Sequence, residues 1–165
     1  QVNIMSKTIY RVTGSNGADF KVVDDLGTTE VYAGSALVSS SNASTSVTAG
    51  VTLDAADSGK TVFLADAASG NVTLPAVTTT GWKVRVQCAF AITTSSAVLS
   101  AEGDNITGTL VVNGATVLAI AEDQINFILN LAEVGDYIYL VSDGSQWIVN
   151  GIGGAGGSIT ATDPS

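Results

Sequence analysis

At 165 residues the chain has the length of one domain of ordinary size, or of one domain with a small appendage, which is enough to close a core. Val, Ala, Leu and Ile carry most of its 45% hydrophobic content, and 18 Gly with only 2 Pro complete a vocabulary of short strands and tight turns, so the expected fold class is all-β. Six basic against fifteen acidic residues leave a net charge of −9, which repels a phosphate backbone and argues against nucleic acid as a partner.

The chain opens with three short alternating runs, TIYRVT (8–13), ADFKVV (18–23) and TEVYA (29–33). Asn16-Gly17 supplies hairpin chemistry between the first two, and 24–27 reads as a second turn. Residues 1–33 are therefore expected to form a small β-meander, too poor in apolar residues to stand without packing on something else. Segment 34–50, GSALVSSSNASTSVTAG, is uncharged and built almost wholly of small and hydroxyl residues, and reads as a linker.

From residue 51 onward strands recur at close spacing: 61–65, 71–76, 82–90, 97–101, 108–120, 124–129, 137–142 and 146–151. Ser69-Gly70, Gly103-Asp104-Asn105, Asn113-Gly114 and Asp143-Gly144 punctuate them. This rhythm predicts a sandwich, barrel or prism over 51–152. The best helical window, Ala119–Asp123, is too short to stand alone. In the run 82–90, Trp82, Val84, Val86, Cys88 and Phe90 fall on one face, and Lys83, Arg85 and Gln87 on the other. Two cations on one face call for acidic neutralisation from another strand or another subunit. The Gly-rich end, 153–165, reads as an extended arm.

Candidate chemistry is sparse. The chain has no histidine, which removes His-based triads and His-ligated metal and leaves carboxylates as the remaining catalytic groups. Glu102, Asp104, Asp136 and Asp143 pair on paper as a glycosidase dyad, but each lies in or beside a turn, where carboxylates bind backbone amides. Asp54, Asp57 and Gly59 lack the oxygen spacing and closing Glu of a calcium loop, and read as a turn. Trp82, Trp147, Tyr137 and Tyr139 fit a core or a subunit contact better than a sugar platform. Cys88 is expected as a buried thiol. No apolar run approaches the ~20 residues that span a bilayer, so no membrane partner is expected.

Four stretches in fixed order carry a resemblance: LDAADSGKTVFLADAASGNVTLPA (53–76), GWKVRVQCAF (81–90), AEGDNITGTLVVNG (101–114) and GDYIYLVSDGSQWIVNG (135–151). Together they resemble a module of tailed-bacteriophage virion proteins, similar to capsid decoration (cement) proteins with the β-tripod fold and also found in head fibres and tail-associated proteins. The resemblance implies a homotrimer on the outer head surface that binds the major capsid protein, with no catalytic residue and no cofactor. On that reading Tyr10, Arg11, Phe20, Lys21, Tyr32, Lys83, Arg85, Trp147, Ile152 and Ile159 are the candidate capsid or subunit contacts. The alternative is a fibre domain that binds a host-surface receptor or glycan, which requires exposed aromatics around Trp147 or Trp82.

Overall fold

The computed structural model describes residues 8–14, 17–23, 29–33, 36–40, 44–47, 49–101 and 103–163, and before residue 47 the strand backbone alone. The class is all-β: sixteen strands and one 3-10 turn among the described residues, in two compact units divided between residues 43 and 44.

The first unit is a four-stranded antiparallel meander of β1 (Thr8–Gly14), β2 (Gly17–Val23), β3 (Thr29–Ala33) and β4 (Ala36–Ser40), each paired with the next. Register aligns Arg11 with Phe20 and Phe20 with Tyr32, while Tyr10 stands opposite Lys21. The expected turn residues Asn16 and 24–27 lie outside the described residues.

The linker expected over 34–50 is corrected. It supplies β4, which pairs with β3 through a register shift between Val31 and Tyr32, and β5 (Ser44–Val47), which pairs parallel to a strand of the second unit. The β-branched Val and Thr residues of this stretch suit a pleated backbone.

The second unit contains β5, β6 (Val51–Thr52), β7 (Thr61–Leu64), β8 (Val72–Thr73), β9 (Lys83–Cys88), β10 (Ser96–Leu99), β11 (Ile106–Val112), β12 (Ala115–Glu122), β13 (Gln124–Phe127), β14 (Tyr137–Ser142), β15 (Trp147–Gly153) and β16 (Ile159–Thr162). Seven of them form a sheet in the order β12-β11-β15-β14-β9-β7-β5, and five form a second in the order β16-β13-β10-β8-β6. Both sheets mix parallel and antiparallel pairs, and neither closes into a barrel. Alternation builds the shared core: Val84, Val86, Cys88, Ile138, Leu140, Trp147 and Val149 from the larger sheet join Val72, Val98, Ile125, Phe127 and Ile159 from the smaller.

Hairpin β11–β12 turns at Asn113-Gly114, both at positive φ (50° and 76°), as a two-residue connection requires. The window Ala119–Asp123 belongs largely to β12, where Ala119 is buried.

The C-terminal arm is corrected as well. Gly153 ends β15, and after a short turn the chain returns as β16, antiparallel to β13, with Ile159 fully buried. Glycine here serves packing: a Cβ on Gly151 would stand 2.5 Å from the Tyr137 carbonyl oxygen, and one on Gly153 would collide with Ser158 Oγ. Phe90 is a third correction. Strand β9 stops at Cys88, so the alternation lapses and Phe90 is 51% exposed instead of sharing the face of Val86.

Candidate functional site: the outer face of the seven-stranded sheet

The closing hairpin β14–β15 sits in the middle of the larger sheet, between β9 and β11. Its tip, residues 143–146, is held by Asp143, whose Oδ1 accepts the amides of Ser145 (2.8 Å) and Gln146 (2.9 Å). Those amides lower the Asp143 pKa. Inward, Trp147 is fully buried and Trp82 nearly so. Trp147 is therefore not a surface contact in this chain, and neither indole forms an exposed shelf for a sugar. Ile159, also expected as a contact, is likewise core. Both lie on the inward parity of their strands, opposite apolar residues of the other sheet.

The other described carboxylates named as a possible dyad hold loops. Asp104 Oδ2 accepts the Val77 amide at 2.9 Å. Buried Asp136 accepts from Gly154 (Oδ1, 2.9 Å) and from Glu133 (Oδ2, 3.3 Å), tying the turn before β14 to the end of β15. Glu102 lies outside the described residues. The calcium-like stretch is a capping box: Asp54 accepts the Ala56 amide, Asp57 Oδ2 accepts the Asp54 amide, and Asp57 Oδ1 takes the Lys60 ammonium at 2.6 Å. Among the described residues no group of three or more His, Cys, Asp or Glu gathers to hold a metal. Cys88 is buried, and burial, reinforced by the Asp136 charge, pushes its thiol pKa up to about 12.

The outward side of the same sheet differs in kind. Register places Gln87, Tyr137, Ile152 and Val111 in one cross-strand row, Arg85, Tyr139, Asn150, Thr109 and Leu118 in the next, and Lys83, Val141 and Ile148 in a third. Val111 (43%), Leu118 (57%), Ile148 (39%) and Ile152 (49%) are exposed there, and Ile120, at 67%, lies further along β12. Runs such as TLVV and TVLAI, apolar on both parities, are the sequence signal of strands covered on both sides. A second uncovered apolar area gathers Phe90, Leu129, Leu131 and Val134, on loops joined by hydrogen bonds between Ile92 and both Ala132 and Asn130.

At the β7–β9 side of the outer face, Lys60, Thr61, Lys83, Arg85 and Tyr139 line a pocket of about 190 Å³. Arg85 lies over the ring of Tyr137, with Cζ 3.9 Å from its centroid, a cation–π contact that fixes the guanidinium. Lys83 and Arg85 stand out in the sequence, whereas Lys60 and Tyr139 are not legible there as their neighbours. Parallel pairing of β7 with β9 and the β9–β14 register bring them in, and neither pairing leaves a local sequence signal.

The chain matches no family model, and no curated protein is significantly similar to it in sequence.

Proposed function

We propose that the chain is a structural protein of a tailed-bacteriophage virion: a homotrimeric capsid decoration (cement) protein that binds the major capsid protein on the outer head surface and stabilises the shell. The observation that carries the reading is the uncovered apolar face of the seven-stranded sheet, with Val111, Leu118, Ile120, Ile148 and Ile152 exposed on three neighbouring strands, β12, β11 and β15. A folded chain that keeps such a face open gains by burying it in an assembly. The ordered series of motifs supports the module: the SGKT stretch leads into β7, the DNITG stretch opens β11, and the GDYIYLVSDGSQW stretch forms the β14–β15 hairpin.

Asp104, Asp136 and Asp143, the described carboxylates of the candidate dyad, are engaged in capping amides, which supports a mechanical role over a chemical one. A trimer touching several shell subunits joins weak contacts at high effective concentration, so the assembly resists outward pressure better than any single contact does. Its acidic surface suits the solvent side of a shell better than the side facing packaged DNA.

The test is the mass of the full chain in solution, followed by its location in virion density. A particle of three chain masses at micromolar concentration, reduced to one by Ile148→Asp with Ile152→Asp, is expected. A stable monomer of the unmodified chain, or density placing it away from the head exterior, overturns the reading.

A further inference from the structure

We propose that the pocket formed by Lys60, Lys83, Arg85 and Tyr139 is a carboxylate-binding site that receives an acidic side chain from a partner protein. The site stands on its own geometry, whatever assembly the chain belongs to.

Charge distribution is the first ground. Residues 44–165 contain eleven acidic residues and only three basic ones, Lys60, Lys83 and Arg85. All three line the same pocket. They arrive from two separate segments, held together by backbone hydrogen bonds from the Arg85 amide to the Lys60 carbonyl (3.2 Å) and from the Gly59 amide to the Lys83 carbonyl (2.8 Å). A surface this acidic has ample carboxylates to neutralise three cations, yet among the described residues only Asp57 does so, and it engages Lys60 alone. Among the described residues neither Lys83 nor Arg85 has a carboxylate within ion-pair distance. Two like charges on one strand face repel each other, so an anion entering between them is favoured on electrostatic grounds.

The second ground is the state of Arg85. Its guanidinium is held against Tyr137, and its Nε is buried without an acceptor, so the group is under-satisfied in the isolated chain. A planar carboxylate matches the guanidinium fork, and charge-assisted bonds of this type are among the stronger ones proteins make.

Size and surroundings select the ligand. At about 190 Å³ the pocket is smaller than those that enclose drug-sized molecules, roughly 300–1,000 Å³, and suits one side chain. A doubly charged phosphate would meet the field of the acidic unit more strongly than a singly charged carboxylate does. Lys83 is aligned across the sheet with Val141 and exposed Ile148, so a group entering the pocket lies beside apolar surface, as an acidic residue within a protein interface does.

The experiment is an amide-shift titration of the isotopically labelled full chain with an end-blocked Gly-Glu-Gly peptide, the matching Gly-Gln-Gly peptide and inorganic phosphate. Expected are shifts confined to Gly59, Thr61, Val84 and their neighbours, saturating in the millimolar range with the Glu peptide and at least about tenfold weaker with the Gln peptide. Binding should weaken at about 0.5 M salt. It should be lost in the Lys83→Gln, Arg85→Gln double variant and kept in Lys83→Arg; these positions lie outside the core, so the variants fold. Equal response to the Gln peptide, binding that survives the double variant, or phosphate binding tighter than the Glu peptide each overturn the assignment.

Discussion

The indole of Trp147 meets that of Trp82 edge to face, with ring centroids 5.3 Å apart and planes at 78°. The pair joins four segments. Trp82 Nε1 donates to the Asp54 carbonyl (3.2 Å), the Trp82 carbonyl accepts the Ser142 amide (2.8 Å), and the Trp147 amide donates to the Asn105 carbonyl (2.8 Å). Trp147→Ala should therefore cost about 3–5 kcal/mol, the range for deleting a large buried aromatic, with Trp147→Phe costing less. Urea denaturation monitored by the remaining indole fluorescence measures both.

Ile159 distinguishes a strand from an arm. If β16 belongs to the core, Ile159→Ala loses about 2–5 kcal/mol, whereas the same change in a free tail falls within about 0.5 kcal/mol of zero. Truncation before residue 158 would expose Phe127 and strip the edge from β13, and should lower the melting temperature by more than the single substitution does.

Cys88 should resist alkylation in the folded chain at pH 8 and react fully in urea, because its thiol is buried and remains neutral. The raised folded-state pKa also sets a sign. The stabilisation by the neutral thiol is complete below the unfolded value of about 9 and is lost as pH rises toward about 12. Cys88→Ala, although slightly less stable overall, should show a shallower alkaline loss.

At the acid end the sign reverses. Burial alone would raise the Asp57 pKa, but the Lys60 ammonium and the Asp54 amide outweigh it, and the amides at the hairpin tip lower Asp143. Both carboxylates thus stabilise the fold in full above the unfolded value near pH 4, and that contribution disappears as pH falls through their lower folded values. The urea midpoint should be flat between about pH 5 and 8 and decline below about 4. Asp143→Asn should flatten part of that decline.

Local pattern carried the elements and failed at the partnerships. Strand 137–142 coincides with β14, and Asn113-Gly114 turns the hairpin where its chemistry says it should, since both signals act within a few residues. Residues 44–47 are not legible as a strand, because their pairing partner, β7, lies in a separate stretch of the sequence and leaves no local signal. The Gly-rich end, 153–165, reads as an arm, but at Gly153 the missing side chain makes room for Ser158, as at Gly151 it makes room for the Tyr137 carbonyl. Trp147 is legible as a strand residue, but its burial depends on the sheet opposite. The candidate surface was half visible: Lys83, Arg85 and Ile152 stood out, while Lys60, Leu118 and Ile120 needed the sheet order to become their neighbours.

The position of β15 also constrains how the protein is made. Residues 147–153 run through the middle of the larger sheet, parallel to β11 and antiparallel to β14, although they lie near the end of the sequence. While a ribosome still holds those residues in its exit tunnel, β12-β11 and β14-β9-β7-β5 remain two fragments with open edges. The second unit can close only after nearly all of it has emerged, so its folding is a late event dominated by long-range pairing, and until then the fragments carry unpaired strand edges.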